Sequence, residues 1–452
     1  MSDLFGTDGI RGIAGKFPLD TRSVVVIGKA LADYVAARLG RPAKIVTGRD
    51  TRESGPSIEA AIGFGVADGG GQCVSAGVIT TPGVAYLAGK CGYDLGVVIS
   101  ASHNPFRDNG IKVFLPNGMK SDDEMERFVE TAVNNSLGDD RRQIDPQPLP
   151  EDESLNREYF RHLVELFGDS DFTGLRLVID CANGAASEIA PEFFRSLGAN
   201  VTAINAEPNG RNINLNCGSL HTESLRCKVI ETRADVGVGF DGDADRTILV
   251  DQTGGIIDGD RILRILAGDM IARGELASRT VVATVMSNLG LEISLRKLGV
   301  KMLRTPVGDK FVLDALLRTG SELGGEQSGH IIFPRLSRVG DGIVTAAAVL
   351  RVARSKEIAF SDLAGDFRPF PQILLNIEVR EKLPFDRVPE ISAAVQEVED
   401  VLSGKGRVLL RYSGTENLAR VMIEAEEGEL AEQNARWLAD VIKKNLGKEI
   451  DQ

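Results

Sequence analysis

Three aspartates at alternate positions carry the strongest chemical signal in this sequence. The segment FDGDADR places Asp241, Asp243 and Asp245 in one short loop. Carboxylates gathered this closely repel one another unless a cation lies between them, and hard oxygen ligands suit Mg²⁺ or Ca²⁺. An EF-hand is excluded, because its loop needs Gly where this chain has Arg246 and Glu where it has Gln252. Apolar residues on both sides disfavour a solvated acidic hairpin tip, so the segment predicts a metal site.

A polar loop directly after an apolar run suggests phosphoryl transfer. In VVISASHNPFRDNGIK, Ser102 and His103 follow a predicted strand, and the segment ends at Lys112. A hydrolase is disfavoured, because adjacent residues rarely orient as nucleophile and base and no GxSxG elbow surrounds Ser102. A serine that carries a phosphoryl group beside a divalent ion fits better, since the ion neutralises the transferring charge. The plain structural alternative is a solvated turn shaped by Asn and Pro.

Two glycine-rich segments present polar side chains that turn structure alone could explain. GEQSGH places Glu326, Ser328 and His330 between glycines, where a carboxylate and a hydroxyl can hold sugar hydroxyls. Taken alone, an ordinary Gly-rich turn explains this segment better, and a lone His is more often structural than catalytic. FGTDGIRG sets Arg11 beside a flexible Gly loop, although Arg11 could otherwise be a surface charge.

A turn near the C terminus has the composition of a phosphate site. Its candidate ligands are guanidiniums, hydroxyls and a glycine: Arg411, Ser413, Gly414, Thr415 and Arg420. Guanidiniums, hydroxyls and backbone N–H groups together bind phosphate. Either hydroxyl could equally cap a helix, but arginines on both sides of the turn favour phosphate.

Composition limits the classes of protein that this chain can belong to. It has 452 residues, 42% of them hydrophobic, and a formal net charge of -13. A nucleic-acid surface needs a basic face, so we expect no nucleic-acid partner. The chain begins without the features of a signal peptide and has no apolar run long enough for a membrane span, so we expect no membrane partner. Five cysteines without CxxC spacing indicate reduced thiols and a cytoplasmic location.

Alternating strand and helix patterns predict the elements that position these residues. Strands are predicted at residues 44–48 and 97–99 and on both sides of the acidic loop. A helix is predicted over 54–70, and a capping box of Ser121 and Glu124 predicts the start of another. The alternation of strands and helices therefore predicts an α/β protein.

Proline-rich and turn-rich stretches predict domain boundaries. We divide the chain into α/β domains at 1–150, 151–253 and 254–368, which hold the serine, acidic and GEQSGH loops in that order, and a C-terminal domain at 369–452. The C-terminal domain reads as strand, helix, strand, helix, which predicts a small α+β unit that holds the phosphate turn.

In combination and in this order, the motifs resemble those of the α-D-phosphohexomutases. They are FGTDGIRG, GRDTRESG, ISASHNPFRDNGIK, DCANGAA, GFDGDADR, GGEQSGH and RYSGTE. The resemblance covers nearly the whole chain, from residue 5 to about residue 424. It implies three similar mixed-sheet α/β domains and a smaller α+β C-terminal domain around a central cleft.

The resemblance also implies a role for each candidate residue. Ser102 would be the phosphoserine and, with the three aspartates, a ligand of Mg²⁺. The implied catalytic residues are Ser102, Lys112, Arg11, Arg246 and His330. Glu326 and Ser328 would bind sugar hydroxyls. The implied ligands of the non-reacting phosphate are Arg411, Ser413, Gly414, Thr415 and Arg420.

The activity implied by the resemblance is an isomerase reaction. We expect interconversion of glucosamine 6-phosphate and glucosamine 1-phosphate through a hexosamine 1,6-bisphosphate, which is also the activator, for UDP-N-acetylglucosamine and peptidoglycan precursors. One alternative is a phosphomannomutase/phosphoglucomutase of the same family, and another is a catalytically silent sugar-phosphate sensor. A sensor is disfavoured, because it has no use for Ser102, Lys112 and the aspartates. The expected partner is a small sugar phosphate, and a homodimer is left open.

Overall fold

The structure is a computed structural model. It describes residues 4–6, 8–136, 144–365, 367–413 and 417–448. The chain separates into two compact units, one made of Met1–Thr284 with Leu303–Gly365 and the other of Val285–Met302 with Asp366–Gln452. This division does not test the three predicted domain boundaries, which stay a prediction.

The first sheet belongs to the first compact unit. Its strands are β1 Phe5–Gly6, β2 Gly9–Ile13, β3 Lys44–Arg49, β4 Gln72–Val78, β5 Leu95–Ile99 and β6 Asp108–Phe114. The helices around it are α1 Thr21–Leu39, α2 Gly55–Asp68, α3 Thr81–Lys90 and α4 Asp123–Ser136. The strand order is β1-β2-β6-β5-β3-β4. Every residue of β5 is buried, which is why this strand is apolar throughout rather than alternating.

The second sheet has the order β11-β10-β9-β7-β8. These strands are β7 Arg176–Asp180, β8 Asn200–Ile204, β9 Val236–Phe240, β10 Thr247–Asp251 and β11 Ile256–Ile257. The accompanying helices are α5 Glu153–Phe167, α6 Ile189–Ser196 and α7 Glu223–Thr232, with a short 3₁₀ helix at Gly218–Leu220. Strands β9 and β10 are fully buried, as the apolar sequence around the acidic loop predicts.

The third sheet has the order β13-β12-β14-β15. These strands are β12 Thr280–Thr284, β13 Lys301–Thr305, β14 Gly324–Gly325 and β15 Ile331–Ile332. The helices in this part of the chain are α8 Gly259–Ala272, α9 Leu289–Lys297, α10 Asp309–Thr319 and α11 Gly342–Lys356, with a 3₁₀ helix at Phe360–Asp362.

One strand order is repeated in all three sheets. Each sheet contains a repeat of four strands that are consecutive in the chain. Within the sheet these strands lie in the order second, first, third, fourth, as in β4-β3-β5-β6. The first and third are parallel, and the fourth is antiparallel to the third. The loop between the third and fourth strands spans residues 100–107, 241–246 and 326–330 in the three repeats. The prediction of three similar mixed-sheet units is therefore confirmed, and their equivalent loops hold the serine, the aspartates and the GEQSGH side chains.

The C-terminal sheet is smaller and wholly antiparallel, with the order β16-β18-β17. Its elements are β16 Gln372–Glu378, α12 Pro389–Leu402, β17 Gly406–Tyr412, β18 Leu418–Ala425 and α13 Gly428–Leu446, with a 3₁₀ helix at Phe385–Arg387. The helices cover one face of the sheet with a core that includes Ile391, Val421 and Leu438. The predicted α+β fold of this part is confirmed, but its central strand, β18, was not among the predicted elements.

The start of α4 corrects the predicted capping box. Asp122 Oδ1 accepts the N–H of Met125 at 2.9 Å, so Asp122 caps the helix. Ser121 Oγ instead donates to Glu126 at 2.9 Å. The capping box of Ser121 and Glu124 is therefore wrong, because the helix begins one residue later than such a box requires.

Two expectations about chemical environment can be compared with the described residues. All five cysteines lie among them and none forms a disulfide, which agrees with the prediction of reduced thiols. In the same part of the chain, no helix combines the length and apolar character that crossing a membrane demands.

Candidate active site

Ser102 lies in the β5–β6 loop in an unusual backbone conformation. Its φ is +50°, in the left-handed region, which costs a non-glycine residue about 1–2 kcal/mol. Its side chain is buried, and Oγ donates to Asp241 Oδ2 at 2.6 Å. His103 Nδ1 lies 3.3 Å from the same Oγ. The fold therefore brings the candidate phosphoserine against the acidic loop, across 139 residues of sequence.

The three aspartates converge on one point. They lie between β9 and β10, all three are buried, and one carboxylate oxygen from each lies within 4.8 Å of the others. Asp243 Oδ1 and Asp245 Oδ1 are buried and accept no hydrogen bond from any described residue. Buried acceptors without donors are costly, so this donor set fits a hard divalent cation.

A buried lysine lies against the acidic cluster. Lys112 Nζ donates to Asp243 Oδ2 at 2.9 Å and to Asp245 Oδ2 at 3.3 Å. Burial alone would lower the pKa of Lys112, but Asp243, Asp8 and Asp245 outweigh it and hold this pKa well above its usual value. Thr81 Oγ1 also donates to Asp243, at 2.5 Å. Lys112 therefore stays charged beside the site.

This environment shifts the pKa values of Asp241 and Asp245 in opposite directions. Burial, followed by the neighbouring Asp245 and Asp243 carboxylates, raises the pKa of Asp241 well above its ordinary value. Burial would also raise the pKa of Asp245, but the Lys112 ammonium, His330 and Arg246 hold it well below its ordinary value. Of these two carboxylates, Asp241, which accepts the Ser102 hydroxyl, is the one more disposed to take a proton until a cation compensates the cluster.

Arg246 and Arg11 contact the serine loop from different elements. Arg246 Nη1 lies 3.1 Å from His103 Nδ1. Burial, Arg246 and Arg11 lower the pKa of His103 to about 4, so a neutral imidazole accepts this hydrogen bond. Arg11 Nη1 donates to the Ala101 carbonyl at 2.8 Å, and its Nη2 pairs with Asp8. Both arginines therefore lie beside Ser102, and Arg11 holds the backbone of its loop.

The GEQSGH loop is attached to the strand that follows the aspartates. Gly329 O accepts the N–H of Thr247 at 3.1 Å. Glu326 Oε1 accepts the N–H of Gly308 at 3.0 Å, and Ser328 Oγ lies 3.5 Å from Glu326 Oε2. Both side chains are only partly buried, which leaves them able to reach a ligand.

His330 of the same loop is buried and connects two neighbours. Its Nε2 accepts the N–H of Gly340 at 3.0 Å, and its Nδ1 lies 3.7 Å from Asp245 Oδ1. The imidazole therefore borders the acidic cluster, and both of its nitrogens face protein groups.

The C-terminal candidates lie on neighbouring antiparallel strands. Arg411 of β17 is directly opposite Arg420 of β18. Burial and the Arg420 charge lower the pKa of Arg411. Like charges directly opposite each other destabilise a sheet, and a bound anion would offset that cost. Ser413 follows β17, whereas Gly414 and Thr415 lie outside the described residues.

Sequence reasoning assigned no role to several residues that contact the site. Thr81 contacts Asp243, and Asp50 Oδ2 accepts the Ser100 hydroxyl at 2.6 Å. Arg52 and Asn214 bind carbonyls of the serine loop. A signal existed for Asp50 and Arg52, because they directly follow β3, the parallel neighbour of β5, and ends of parallel strands meet at one edge.

Family models match the chain along almost its whole length. Four parts of "Phosphoglucomutase/phosphomannomutase" match: alpha/beta/alpha domain I at residues 2–138, domain II at 157–255, domain III at 258–370 and the C-terminal domain at 374–441.

Curated relatives and solved structures agree with this match. The "Phosphoglucosamine mutase" of Solibacter usitatus is 47% identical over 448 residues, 99% of either chain. That of Koribacter versatilis is 45% identical and covers 99% of this chain and 98% of its own. A phosphoglucomutase/phosphomannomutase family protein from Burkholderia thailandensis has a TM-score of 0.79 at 24% identity, with 98% and 97% of the two chains covered. Aspergillus fumigatus N-acetylphosphoglucosamine mutase, solved with GlcNAc-6P and magnesium, has a TM-score of 0.65 at 20% identity, with coverages of 98% and 95%.

Proposed function

The chain belongs to the phosphoglucomutase/phosphomannomutase family, and from that premise we propose that it catalyses the phosphoglucosamine mutase reaction. The substrates are glucosamine 6-phosphate and glucosamine 1-phosphate, and the product feeds UDP-N-acetylglucosamine synthesis. The assignment within the family is supported by the curated relatives, which carry that name at 42–47% identity.

One observation carries the chemistry. Ser102 Oγ lies 2.6 Å from Asp241 in a buried cluster of three carboxylates and one lysine ammonium. A serine hydroxyl held there can carry a phosphoryl group, because opposite charges are already arranged where the transferring charge develops.

The reaction divides into two phosphoryl transfers. Phosphorylated Ser102 first gives its phosphoryl group to the O1 hydroxyl of glucosamine 6-phosphate, so the bond from phosphorus to Ser102 Oγ breaks and a bond to O1 forms. The O1 proton replaces the phosphoryl group on Ser102 Oγ. The resulting 1,6-bisphosphate then turns over, and Ser102 Oγ takes its 6-phosphoryl group as the bond from phosphorus to O6 breaks. The hydroxyl proton passes to O6, which leaves glucosamine 1-phosphate. Lys112 and Arg246 supply positive charge to the transferring group, and Arg11 and His330 support the loop and the acidic cluster.

Mg²⁺ is the cofactor that the donor set fits, with Asp241, Asp243, Asp245 and the Ser102 phosphoryl oxygens as its ligands. When bound, the ion neutralises charge on the phosphoryl group. The hexosamine 1,6-bisphosphate serves as activator, because it can phosphorylate Ser102 in an enzyme that has lost its phosphoryl group.

Substrate contacts are assigned to two further loops. Glu326 and Ser328 bind sugar hydroxyls. The residues that hold the phosphate not being transferred are Arg411, Ser413, Gly414, Thr415 and Arg420. A cytoplasmic location, a homodimer and the domain boundaries at 150, 253 and 368 complete the proposal as predictions.

Ser102→Ala tests the mechanism directly. Turnover should fall by at least about a thousandfold, because no other group can carry the phosphoryl group. Intact mass and peptide mapping of the wild-type protein should find phosphate on Ser102. Ser57→Ala, at an exposed serine in α2, is the matched control and should keep full activity. Full activity of Ser102→Ala would sink the mechanism.

A substrate panel tests the assignment within the family. The values of kcat/KM for glucosamine, glucose and mannose 1-phosphates are compared, each with its own bisphosphate. Glucosamine 1-phosphate should lead by at least about tenfold, or roughly 1.4 kcal/mol. A lead for glucose or mannose phosphate would favour the phosphomannomutase/phosphoglucomutase alternative, and absence of turnover on all three would favour a sensor.

A further inference from the structure

Two side chains from different elements bind the same pair of carbonyls in the serine loop. Arg52 Nη2 donates to the carbonyl oxygen of Ser102 at 3.0 Å and to that of Asn104 at 2.9 Å. Asn214 Nδ2 donates to the same two oxygens, at 2.9 Å and 3.1 Å. We call Arg52 and Asn214 the carbonyl clamp. It ties the loop to residues 50 positions earlier and 112 positions later in the chain.

The N–H of Ser102 is bound as well. It donates to Ser100 Oγ at 2.9 Å, and Ser100 Oγ donates to Asp50 Oδ2 at 2.6 Å. Rotation about either backbone bond of Ser102 would therefore break hydrogen bonds on one side or the other. This matters because Ser102 has a φ of +50°, from which an unrestrained serine would relax to an extended conformation.

The surroundings leave space for the clamp and balance its charge. Arg52 is fully buried, and its Nε lies 3.2 Å from Asp50 Oδ2. Gly242, between two of the aspartates, passes close to the clamp. A Cβ there would lie 2.6 Å from the Ser102 carbonyl oxygen and 2.9 Å from Asn214 Nδ2. The acidic loop and the serine loop can approach each other only because this residue has no side chain.

We propose that Arg52 and Asn214 are positioning residues for phosphoryl transfer, which hold Ser102 in its left-handed conformation so that Oγ faces the aspartates. They act through the loop carbonyls. The inference rests on the proposed function, since it gives the clamp its purpose.

Asn214→Gly tests the clamp with a matched control in the same loop. Asn214 and Asn216 both have left-handed φ, +58° and +53°, so glycine fits the backbone at either position. Asn216 is exposed, and Asn216→Gly removes an amide that makes no contact with the clamp carbonyls. Steady-state kinetics and amide hydrogen exchange of residues 100–107 are measured for both variants.

We expect Asn214→Gly to lower kcat at least about tenfold with KM nearly unchanged, because a misplaced reacting group costs rate rather than binding. Exchange in the serine loop should be faster than in the wild-type protein, and Asn216→Gly should change neither quantity. Arg52→Lys keeps a positive charge, but a single ammonium cannot replace both the Nε that faces Asp50 and the Nη2 that donates to the two carbonyls. This variant should therefore behave like Asn214→Gly. Equal behaviour of Asn214→Gly and Asn216→Gly would overturn the clamp. A wild-type protein without mutase activity would instead overturn the proposed function, and the exchange comparison would still decide whether the clamp holds the loop.

Discussion

The serine–aspartate region and the Arg411–Arg420 pair handle charge in different ways. Around Ser102, the protein supplies both the carboxylates and a cation that offsets part of their charge, since Lys112 Nζ lies 2.9 Å from Asp243. On the C-terminal sheet, two guanidiniums of the same sign are directly opposite each other. By our proposal, the first region holds the phosphoryl group that is transferred, and the second binds the phosphate that is not. Catalysis should therefore depend on the first and substrate affinity on the second.

Of the changes that test this comparison, removal of one carboxylate should have the largest effect on activity. Asp243→Asn takes away a proposed metal ligand and a partner of Lys112, so kcat should fall about a hundredfold and the Mg²⁺ concentration for half-saturation should rise at least about tenfold. Chelation should abolish wild-type activity, and added Mg²⁺ should restore it. Asp235→Asn, just before the opposite end of β9, is the control and should leave Mg²⁺ dependence unchanged. A variant at Asp243 that is as active as the wild type and binds Mg²⁺ as tightly would contradict the metal site.

A change at the arginine pair should alter the affinity for sugar phosphates rather than the rate of turnover. Arg411→Lys keeps the charge but loses the bidentate fork, so KM for both sugar phosphates should rise about tenfold while kcat changes little. Steady-state kinetics in both directions measure this. Arg380→Lys, at a more exposed arginine of the same compact unit, serves as control. If KM stays at the wild-type value, phosphate binds elsewhere.

Asp341 is a buried carboxylate that forms no ion pair with any described residue, so its effect on stability extends the comparison. Asp341 accepts hydrogen bonds from Val344 N and Tyr159 Oη, at 3.0 Å and 2.8 Å. Burial raises the pKa of Asp341 to about 6. A raised pKa means that ionisation costs the folded state more than the unfolded state. This penalty is absent below the unfolded-state pKa and complete above the folded-state one.

The stability of Asp341→Asn relative to the wild type should therefore increase as the pH rises. Between pH 5 and pH 7.5, the difference in the free energy of unfolding should shift by about 1 kcal/mol in favour of the variant. Urea unfolding at both pH values measures it. Asp152→Asn is the control, because hydrogen bonds to Ser154 lower the pKa of the exposed Asp152 carboxylate. A shift in the opposite direction for Asp341→Asn would refute this account.

Local patterns predicted the buried parallel strands of the first sheet better than the central strand of the C-terminal sheet. The predicted strands at 44–48 and 97–99 correspond to β3 and β5, because a continuous apolar run between turns is typical of a buried parallel strand. Strand β18 escaped prediction, although it pairs with both of its neighbours. Its sequence, LARVMIEA, is rich in good helix formers, and only the two flanking strands make it extended.

The candidate site shows the same limit. The acidic triplet and Ser102 were identifiable because each lies within one short segment with its own chemical pattern. Thr81, by contrast, contacts Asp243 across 162 residues, and Asn214 contacts Ser102 across 112. No local pattern records such pairs, since they depend on how two repeats of the sheet pack. The capping box at Ser121 failed for a smaller reason, because the adjacent Asp122 offers an equally good acceptor.

The second compact unit is not a continuous piece of chain. It includes Val285–Met302, whose backbone binds the C-terminal sheet. Leu289 N donates to Glu424 at 3.0 Å, and Arg407 donates to the carbonyls of Val285 and Ser287 at 2.9 Å and 2.7 Å. A gene fragment that starts at residue 369 would lack the backbone partners in Val285–Met302. A single proteolytic cut near Pro371 would break the chain, but these hydrogen bonds would still hold the C-terminal sheet to Val285–Met302. Recombination between relatives should therefore exchange this unit intact only when the crossover falls before residue 285.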